Sequence, residues 1–299
     1  MQHSDMTAKM ANGRGFIAAL DQSGGSTPKA LKGYGIDESA YANDEEMFGL
    51  IHAMRSRIIK SSAFTGDKVI GAILFERTMD GDVDGVPVPA ALIAKGVVPF
   101  IKIDKRLEDE AEGVQLMKPM SGLDALLARS KSLGVFGTKE RSVVNSANRI
   151  GIAAIVKQQF EVGAQVLAAG LMPILEPEVN IKSATRSECD QILKEEILKA
   201  LDAMPGTDKL MLKLSIPAQP GVYQPLVDHP RVLRVVALSG GYSRPEACSQ
   251  LAKNHGMIAS FSRALLADLR VQMSDAEFDA ALAAAIDEIF DASVEKIPA

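Results

Sequence analysis

Eight short apolar runs recur along the chain, and their alternation with longer amphipathic segments constrains the fold more than any other feature. Polar or glycine-rich residues and then a helical pattern follow each run, as expected of β/α units. The runs occupy residues 16–23, 71–75, 99–104, 134–141, 172–179, 211–216, 235–241 and 258–263. Helical patterns between them include residues 44–59, 123–133, 147–170, 187–204, 244–254 and 274–290. This alternation predicts an α/β fold, a (β/α)8 TIM barrel.

The alternative fold is an open doubly wound sheet. Its opening fingerprint, G-x-G-x-x-G, is absent after the first predicted strand. No Pro- or Ser-rich linker divides the chain, and the charged segment 105–122 is better explained as a long functional loop than as a domain boundary. We therefore predict one barrel domain over residues 1–299, with a short N-terminal helical extension and a C-terminal tail.

Composition narrows the class of protein. With 299 residues and 47% hydrophobic content, the chain can bury a large core. Its formal net charge of -5 argues against nucleic-acid or membrane-surface partners, which are held by basic faces. No signal-peptide or membrane-spanning pattern is present, and two distant cysteines indicate a reducing compartment. These features predict a cytoplasmic protein, and whether it forms a homo-oligomer stays open.

Charged residues recur where the predicted strands end. Residues two apart share one face of a strand, so Lys139 and Arg141 project the same way. The residues concerned are Asp21, Lys102, Asp104, Lys139, Arg141, Glu176, Glu178, Lys213 and Arg263. If the runs are barrel strands, these side chains converge at the carboxyl end of the barrel, where barrel enzymes place their sites. A structural ion-pair network is the alternative explanation.

Lys213 lies inside an apolar run, and a buried ammonium is costly unless it is paired or loses its proton. Taken alone, it is more simply a lysine whose head reaches water at the strand end. With a nearby cation such as Lys139 to lower its pKa, it becomes a nucleophile that forms an iminium with a ketone. The carboxylates Asp21, Glu176 and Glu178 can then move protons. The four histidines lack ligand spacing, so we predict no metal and no cofactor.

Two glycine-rich turns follow the first and seventh predicted strands. They are Asp21-Gln22-Ser23-Gly24-Gly25-Ser26 and Ser239-Gly240-Gly241. Glycine lets backbone N–H groups approach an anion, and barrels commonly bind phosphate after strands seven and eight. Either turn alone is equally well explained as a tight connection. Together with the charged strand ends, they favour a small phosphorylated substrate.

Several motifs follow one another in order along the chain: Leu20-Asp21, Ile101-Lys102-Ile103-Asp104-Lys105, Leu175-Glu176-Pro177-Glu178, Leu212-Lys213, Leu238-Ser239-Gly240-Gly241 and Ser260-Phe261-Ser262-Arg263. Together they resemble the class I fructose-bisphosphate aldolases of the shorter bacterial kind. The resemblance runs from about residue 15 to residue 263. It implies a metal-independent aldolase that reversibly cleaves fructose 1,6-bisphosphate to dihydroxyacetone phosphate and glyceraldehyde 3-phosphate.

The resemblance also implies roles for individual residues. Lys213 matches the Schiff-base lysine, Glu176 the acid/base of iminium formation, and Asp21 the acceptor of the C4 hydroxyl proton. The charges that tune the lysine and hold the proton network correspond to Lys139 and Glu178. The residues that contact the substrate or act electrostatically correspond to Lys102 and Arg141. Ser239, Gly240, Gly241, Ser262 and Arg263 are expected at the dihydroxyacetone-phosphate end. The other phosphate is expected at Ser23, Ser26 and Lys29.

The chain departs from vertebrate-type members of that family at three places. Ala30 replaces an arginine, Glu140 replaces a tryptophan, and the chain ends without the C-terminal tyrosine that serves proton exchange on the enamine. The first departure leaves room for a related Schiff-base aldolase or a transaldolase on another sugar phosphate. A non-catalytic sugar-phosphate-binding barrel is the hypothesis from a different class.

Overall fold

The computed structural model describes residues 1–298, which form a parallel eight-stranded barrel. Each strand pairs with the next in chain order, and the Ala19 amide donates to the Phe261 carbonyl (3.1 Å) between the last strand segment and the first. The strands are β1 (Phe16–Leu20), β2 (Val69–Leu74), β3 (Val98–Lys102), β4 (Gly137–Val144), β5 (Met172–Val179), β6 (Leu210–Ser215), β7 (Val232–Leu238) and β8 (Met257–Ala259). The predicted (β/α)8 barrel is confirmed.

Helices cover the outside of the barrel and close one end. They are α1 (His3–Asn12), α2 (Ser26–Tyr34), α3 (Asp44–Lys60), α4 (Glu76–Met79), α5 (Val88–Ala94), α6 (Leu123–Ser132), α7 (Arg149–Ala168), α8 (Arg186–Ala203), α9 (Gln224–Val227), α10 (Arg244–Ala252), α11 (Arg263–Leu266) and α12 (Asp275–Val294). Helix α7 begins at Arg149 because the Asn148 side chain accepts from the Ile150 and Gly151 amides. None of the helices in residues 1–298 is long and apolar enough to cross a membrane.

The last two predicted runs are longer than their strands for identifiable reasons. The apolar run 235–241 closes with the glycine turn expected after the seventh strand, and β7 accordingly ends at Leu238, before Gly240 and Gly241, whose φ of 62° and 121° lie outside strand geometry. The β8 run was expected to end at Arg263, but Arg263 instead begins α11. The apolar Phe261 beyond β8 is fully buried in the turn that binds β1, so its hydrophobicity reflects burial rather than strand structure.

The barrel interior has its own apolar cluster, separate from the layer between strands and helices. It includes Ile17, Ile73, Phe100, Ile174, Met211, Val236 and Ile258, together with Met6 and Met10 of α1. Helix α1 therefore closes the amino end of the barrel with two buried methionines. Because strand side chains alternate, the interior residues two positions further along each strand project into the carboxyl end, which we call the mouth.

Candidate active site

Strand periodicity brings the charged side chains into the mouth. Met211 lies in the interior cluster and Lys213 is two residues on, whereas Leu212 and Leu214 pack in the outer layer. The same alternation carries β5 from Ile174 to Glu176. Strand β6 is therefore apolar because both of its faces are buried, one against helices and one inside the barrel. Its one lysine stands where the interior face reaches the site.

A continuous ion-pair network connects the charged residues of β1, β3, β4, β5 and β6. The Lys213 Nζ lies 3.0 Å from Glu176 Oε1, and Lys139 Nζ lies 2.8 Å from Glu176 Oε2. Lys139 Nζ is also 2.9 Å from Asp21 Oδ2 and 3.5 Å from Asp104 Oδ1. The Glu176 carboxyl group therefore contacts both lysines and lies between Lys139 and Lys213.

The network is largely removed from water, so its charges interact more strongly than they would in solvent. Lys139, Glu176 and Lys213 are 2%, 4% and 4% exposed. Burial opposes the charge on Lys139, but Asp21, Glu176 and Asp104 hold its pKa well above its ordinary value. Burial likewise opposes ionisation of Asp21, yet Lys139 and Lys213 hold the pKa of Asp21 well below its usual range. Lys139 is thus a fixed cation and Asp21 an ionised carboxylate at neutral pH.

The third strand contributes a second pair to the network. Lys102 Nζ lies 2.5 Å from Asp104 Oδ2, which confirms that these two residues share one face. Burial lowers the pKa of Lys102. Asp104 also accepts from the Arg141 amide (3.0 Å), and the Arg141 guanidinium donates to Glu178 (3.0 Å). Asp104 therefore joins β3 to the cations of β4.

A cavity of about 840 Å³ opens over this network. Its lining includes fourteen of the fifteen residues predicted from the sequence: Asp21, Ser23, Ser26, Lys29, Lys102, Lys139, Arg141, Glu176, Glu178, Lys213, Ser239, Gly240, Ser262 and Arg263. Gly241 is outside the lining, but a Cβ built on it would lie 3.4 Å from Arg263 Nη2. A cavity of this size accommodates a small molecule and exposes it to acids, bases and an amine together.

The turn after β7, which lines the cavity, requires glycine at its centre. Gly240 adopts φ of 62°, and a Cβ there would lie 2.5 Å from the Ile181 side chain, so no other residue fits without displacement. Ser262 is positioned from β1, because its hydroxyl accepts from Gln22 Nε2 (2.6 Å). The loops after β1, β7 and β8 therefore meet at one side of the mouth.

Two contacts that shape the site have no local signal in the sequence. Asp104 was paired with Lys102 by its spacing, but its contact with Lys139 depends on neighbouring strands. The buried Arg55 of α3 donates to Gln22 O (2.6 Å), Gln22 Oε1 (3.1 Å) and Thr78 Oγ1 (2.7 Å), and burial lowers its pKa to about 10. No local pattern marks an arginine on a helix as the support of a loop after β1.

The side chains of the mouth indicate the class of protein to which this chain belongs. A buried lysine paired with a carboxylate at the carboxyl end of a (β/α)8 barrel is suited to amine-based carbonyl chemistry. Within residues 1–298, no three His, Cys, Asp or Glu side chains are grouped as metal ligands.

Comparison with known protein families identifies the family to which this chain belongs. The family model described as fructose-bisphosphate aldolase class-I matches residues 4–213, more than half of the chain, and the chain belongs to that family. The match ends at the candidate Schiff-base lysine. The turn after β7 and the segment from Ser260 to Arg263 lie beyond it.

Solved structures agree with the barrel. A fructose-bisphosphate aldolase from Plasmodium falciparum, crystallised with TRAP and a small-molecule inhibitor, superposes with a TM-score of 0.81 at 20% identity, over 99% of this chain and 95% of that one. A Corynebacterium glutamicum protein from structural genomics gives a TM-score of 0.53 at 14% identity, over 97% and 92%. At these identities the likeness establishes the fold.

Proposed function

We propose that this protein is a class I aldolase that reversibly cleaves fructose 1,6-bisphosphate through a Schiff base on Lys213. The observation that carries the proposal is the buried Lys213, 3.0 Å from Glu176 in the floor of the mouth. The family match supports the substrate, and the free, buried Cys189 and Cys248 fit the reducing cytoplasm, where sugar phosphates are interconverted in glycolysis and gluconeogenesis.

In the proposed mechanism, the Lys213 amine attacks the C2 carbonyl of the open-chain ketose to give a carbinolamine. Glu176 donates a proton to the departing hydroxyl, which leaves as water, and the C2–N bond becomes an iminium. Because Glu176 Oε1 lies against Lys213 Nζ and Oε2 against Lys139 Nζ, Glu176 is placed to exchange protons with the nucleophile and is held in position by the fixed cation. Glu178 and Arg141, paired at 3.0 Å, support this wall of the mouth.

Cleavage follows from the iminium. Asp21 accepts the C4 hydroxyl proton, the C3–C4 bond breaks, and its electron pair moves to the iminium to form an enamine. The aldehyde leaves as glyceraldehyde 3-phosphate. Asp21 is ionised in the free site because Lys139 and Lys213 oppose the effect of burial, so it is ready to accept that proton. Protonation of the enamine at C3 and hydrolysis then release dihydroxyacetone phosphate.

The C-terminal tail does not reach the reacting carbon. Lys296 donates to the carbonyls of Leu251 (3.2 Å), Met257 (2.7 Å) and Ala292 (2.8 Å), and the Ile297 amide donates to Ala252 (3.0 Å). Met257 is the first residue of β8, so the tail as described through residue 298 is docked at the amino end of the barrel. Through residue 298, the tail therefore contributes no side chain to the mouth.

The decisive experiment is borohydride reduction in the presence of dihydroxyacetone phosphate, followed by peptide mass analysis. We expect one reduced adduct, on Lys213, and no adduct in Lys213→Met. The control is Lys209→Met, just before β6, which keeps the adduct and the activity. Cleavage of fructose 1,6-bisphosphate without any adduct on Lys213 would sink the mechanism.

A further inference from the structure

The basic side chains of the mouth fall into two groups, those that form ion pairs with acidic side chains and those that do not. Eight lysines and arginines line the cavity. Five of them form ion pairs: Lys102 with Asp104, Lys105 with Glu76, Lys139 with Asp21, Arg141 with Glu178 and Lys213 with Glu176. Lys29, Arg106 and Arg263 form no ion pair with any residue of 1–298. Unpaired cations around a cavity are where an anionic ligand gains most, since no protein carboxylate competes for them.

The three unpaired cations come from different segments around the mouth. Arg263 begins α11, beside the turn after β7, where the family resemblance leads us to expect one phosphate. Lys29 lies in the first turns of α2, after β1, and Arg106 lies after β3. A bisphosphate carries two dianionic groups, so Arg263 accounts for one of them and leaves Lys29 and Arg106 for the other.

Arg106 presents a free side chain from a fixed backbone. Its carbonyl accepts from the Lys118 amide (3.0 Å), and two residues on the Glu108 amide donates to Leu116 O (2.8 Å). Residues 106–108 and 116–118 thus form an antiparallel hairpin, bridged between Leu107 and Met117. Gln158 of α7 holds the second segment, because it accepts from the Met117 amide and donates to the Met117 carbonyl, both at 2.8 Å. The Arg106 side chain itself is exposed at the cavity wall. The guanidinium is thus available to a ligand from a braced loop, which lowers the entropic cost of binding.

Space for an anion lies on the β1 side of the same cavity. A Cβ built on Gly24 or on Gly25 would meet nothing within 4 Å, and both glycines line the cavity with Ser23 and Ser26. Ala30, which lines the cavity next to Lys29, has no charged group to offer. Among the residues that line the cavity on the β1 side, Lys29 is therefore the cation, and none carries a guanidinium.

We propose that Arg106 forms the second phosphate subsite with Lys29 and the Ser23–Ser26 turn, supplying from the β3 loop the guanidinium that position 30 lacks. This proposal rests on the proposed function, since the ligand is the phosphate of a phosphorylated aldehyde or of the corresponding half of a ketose bisphosphate. Arg106 acts here as a specificity residue that selects bisphosphates over monophosphates.

The test compares two substrates in matched variants. Fructose 1,6-bisphosphate carries the second phosphate and fructose 1-phosphate lacks it. We expect Arg106→Ala to lower kcat/KM for the bisphosphate by about 10- to 100-fold more than for the monophosphate, the effect of losing a charge-assisted contact. Arg106→Lys keeps a charge without the planar fork and falls between. The control Lys118→Ala removes an exposed cation from the same hairpin outside the cavity, and leaves the substrate ratio at the wild-type value.

Each result has one meaning. Equal losses on both substrates in Arg106→Ala, or none on either, overturn the subsite. Trapping of dihydroxyacetone phosphate on Lys213 is measured in every variant, and its retention in Arg106→Ala shows that the fold and the amine site survive. Wild-type protein that neither cleaves the bisphosphate nor forms the adduct overturns the proposed function, and the subsite with it. Wild-type protein that does both, with an unchanged ratio in Arg106→Ala, overturns the subsite alone.

Discussion

At the scale of single residues, Asp21 and Glu176 have different places in one network. Both touch Lys139, at 2.9 and 2.8 Å, but only Glu176 approaches Lys213 through a direct ion pair at 3.0 Å. This arrangement separates the acid/base of iminium formation from the base of carbon–carbon cleavage. The two carboxylates are therefore expected to respond differently to removal of their charge.

We predict that Asp21→Asn blocks cleavage while iminium formation persists. Without the carboxylate that accepts the C4 hydroxyl proton, kcat for fructose 1,6-bisphosphate falls by about 100-fold or more, the usual contribution of a general base. Dihydroxyacetone phosphate is still trapped on Lys213, because that step uses Glu176. Glu176→Gln serves as the contrasting variant and slows trapping itself. Equal slowing of trapping by both changes contradicts the assignment of roles.

At the scale of elements, β4 has one face toward the mouth, with catalytic residues, and one face toward the helices, with a buried polar residue. Glu140 lies between the mouth residues Lys139 and Arg141 but is fully buried on the helix side, with Oε1 lacking a hydrogen-bond partner. Gln159 of α7 donates to the Glu140 carbonyl (3.3 Å) and to Ser142 Oγ (2.7 Å). Burial, reinforced by Asp104, raises the pKa of Glu140 well above its ordinary value, so this carboxyl stays protonated.

This raised pKa gives a prediction with a definite sign. In the unfolded chain Glu140 loses its proton near its ordinary pKa, whereas in the fold it keeps it, so the wild type loses stability as pH rises above that point. Glu140→Gln has no proton to lose, and its free energy of unfolding relative to wild type increases from pH 5 to 8, by at most about 1.4 kcal/mol per pH unit. Urea unfolding at several pH values measures this. The control Glu161→Gln, on the exposed side of α7, runs parallel to wild type, and a parallel course for Glu140→Gln would contradict the prediction.

At the scale of the whole molecule, the two ends of the barrel have separate tasks. The carboxyl end holds the ionisable groups, and the amino end is closed by the apolar face of α1 and by the docked C-terminal tail. Arg234 of β7 strengthens that closure by donating to the carbonyls of Met10 (2.9 Å) and Gly13 (3.1 Å). The amino end therefore contributes stability at a distance from the chemistry.

We predict that Met10→Ala destabilises the fold without altering the chemistry. Met10 is fully buried at the base of the barrel interior, and truncating such a side chain costs about 2–5 kcal/mol. Urea denaturation measures the loss, and the KM of the folded fraction stays at the wild-type value. Ser4→Ala, an exposed position of the same helix, changes stability by less than about 0.5 kcal/mol. A change in KM as large as the change in stability contradicts this separation of the two ends.

The sequence by itself determined the barrel and, for the charged residues within strands such as Lys139, Glu176 and Lys213, the strand on which each lies and the face it occupies. Those properties are local: apolar alternation and a period of two place Lys213 and Glu176 in the mouth once their strands are parallel neighbours. Tertiary structure decided which groups touch. Four features depend on segments that are distant in sequence. Glu176 lies between two lysines, and Arg55 supports Gln22. Arg106 reaches the cavity, and the tail docks at the amino end. Long-range packing brings such segments together, and no short window of residues contains that information.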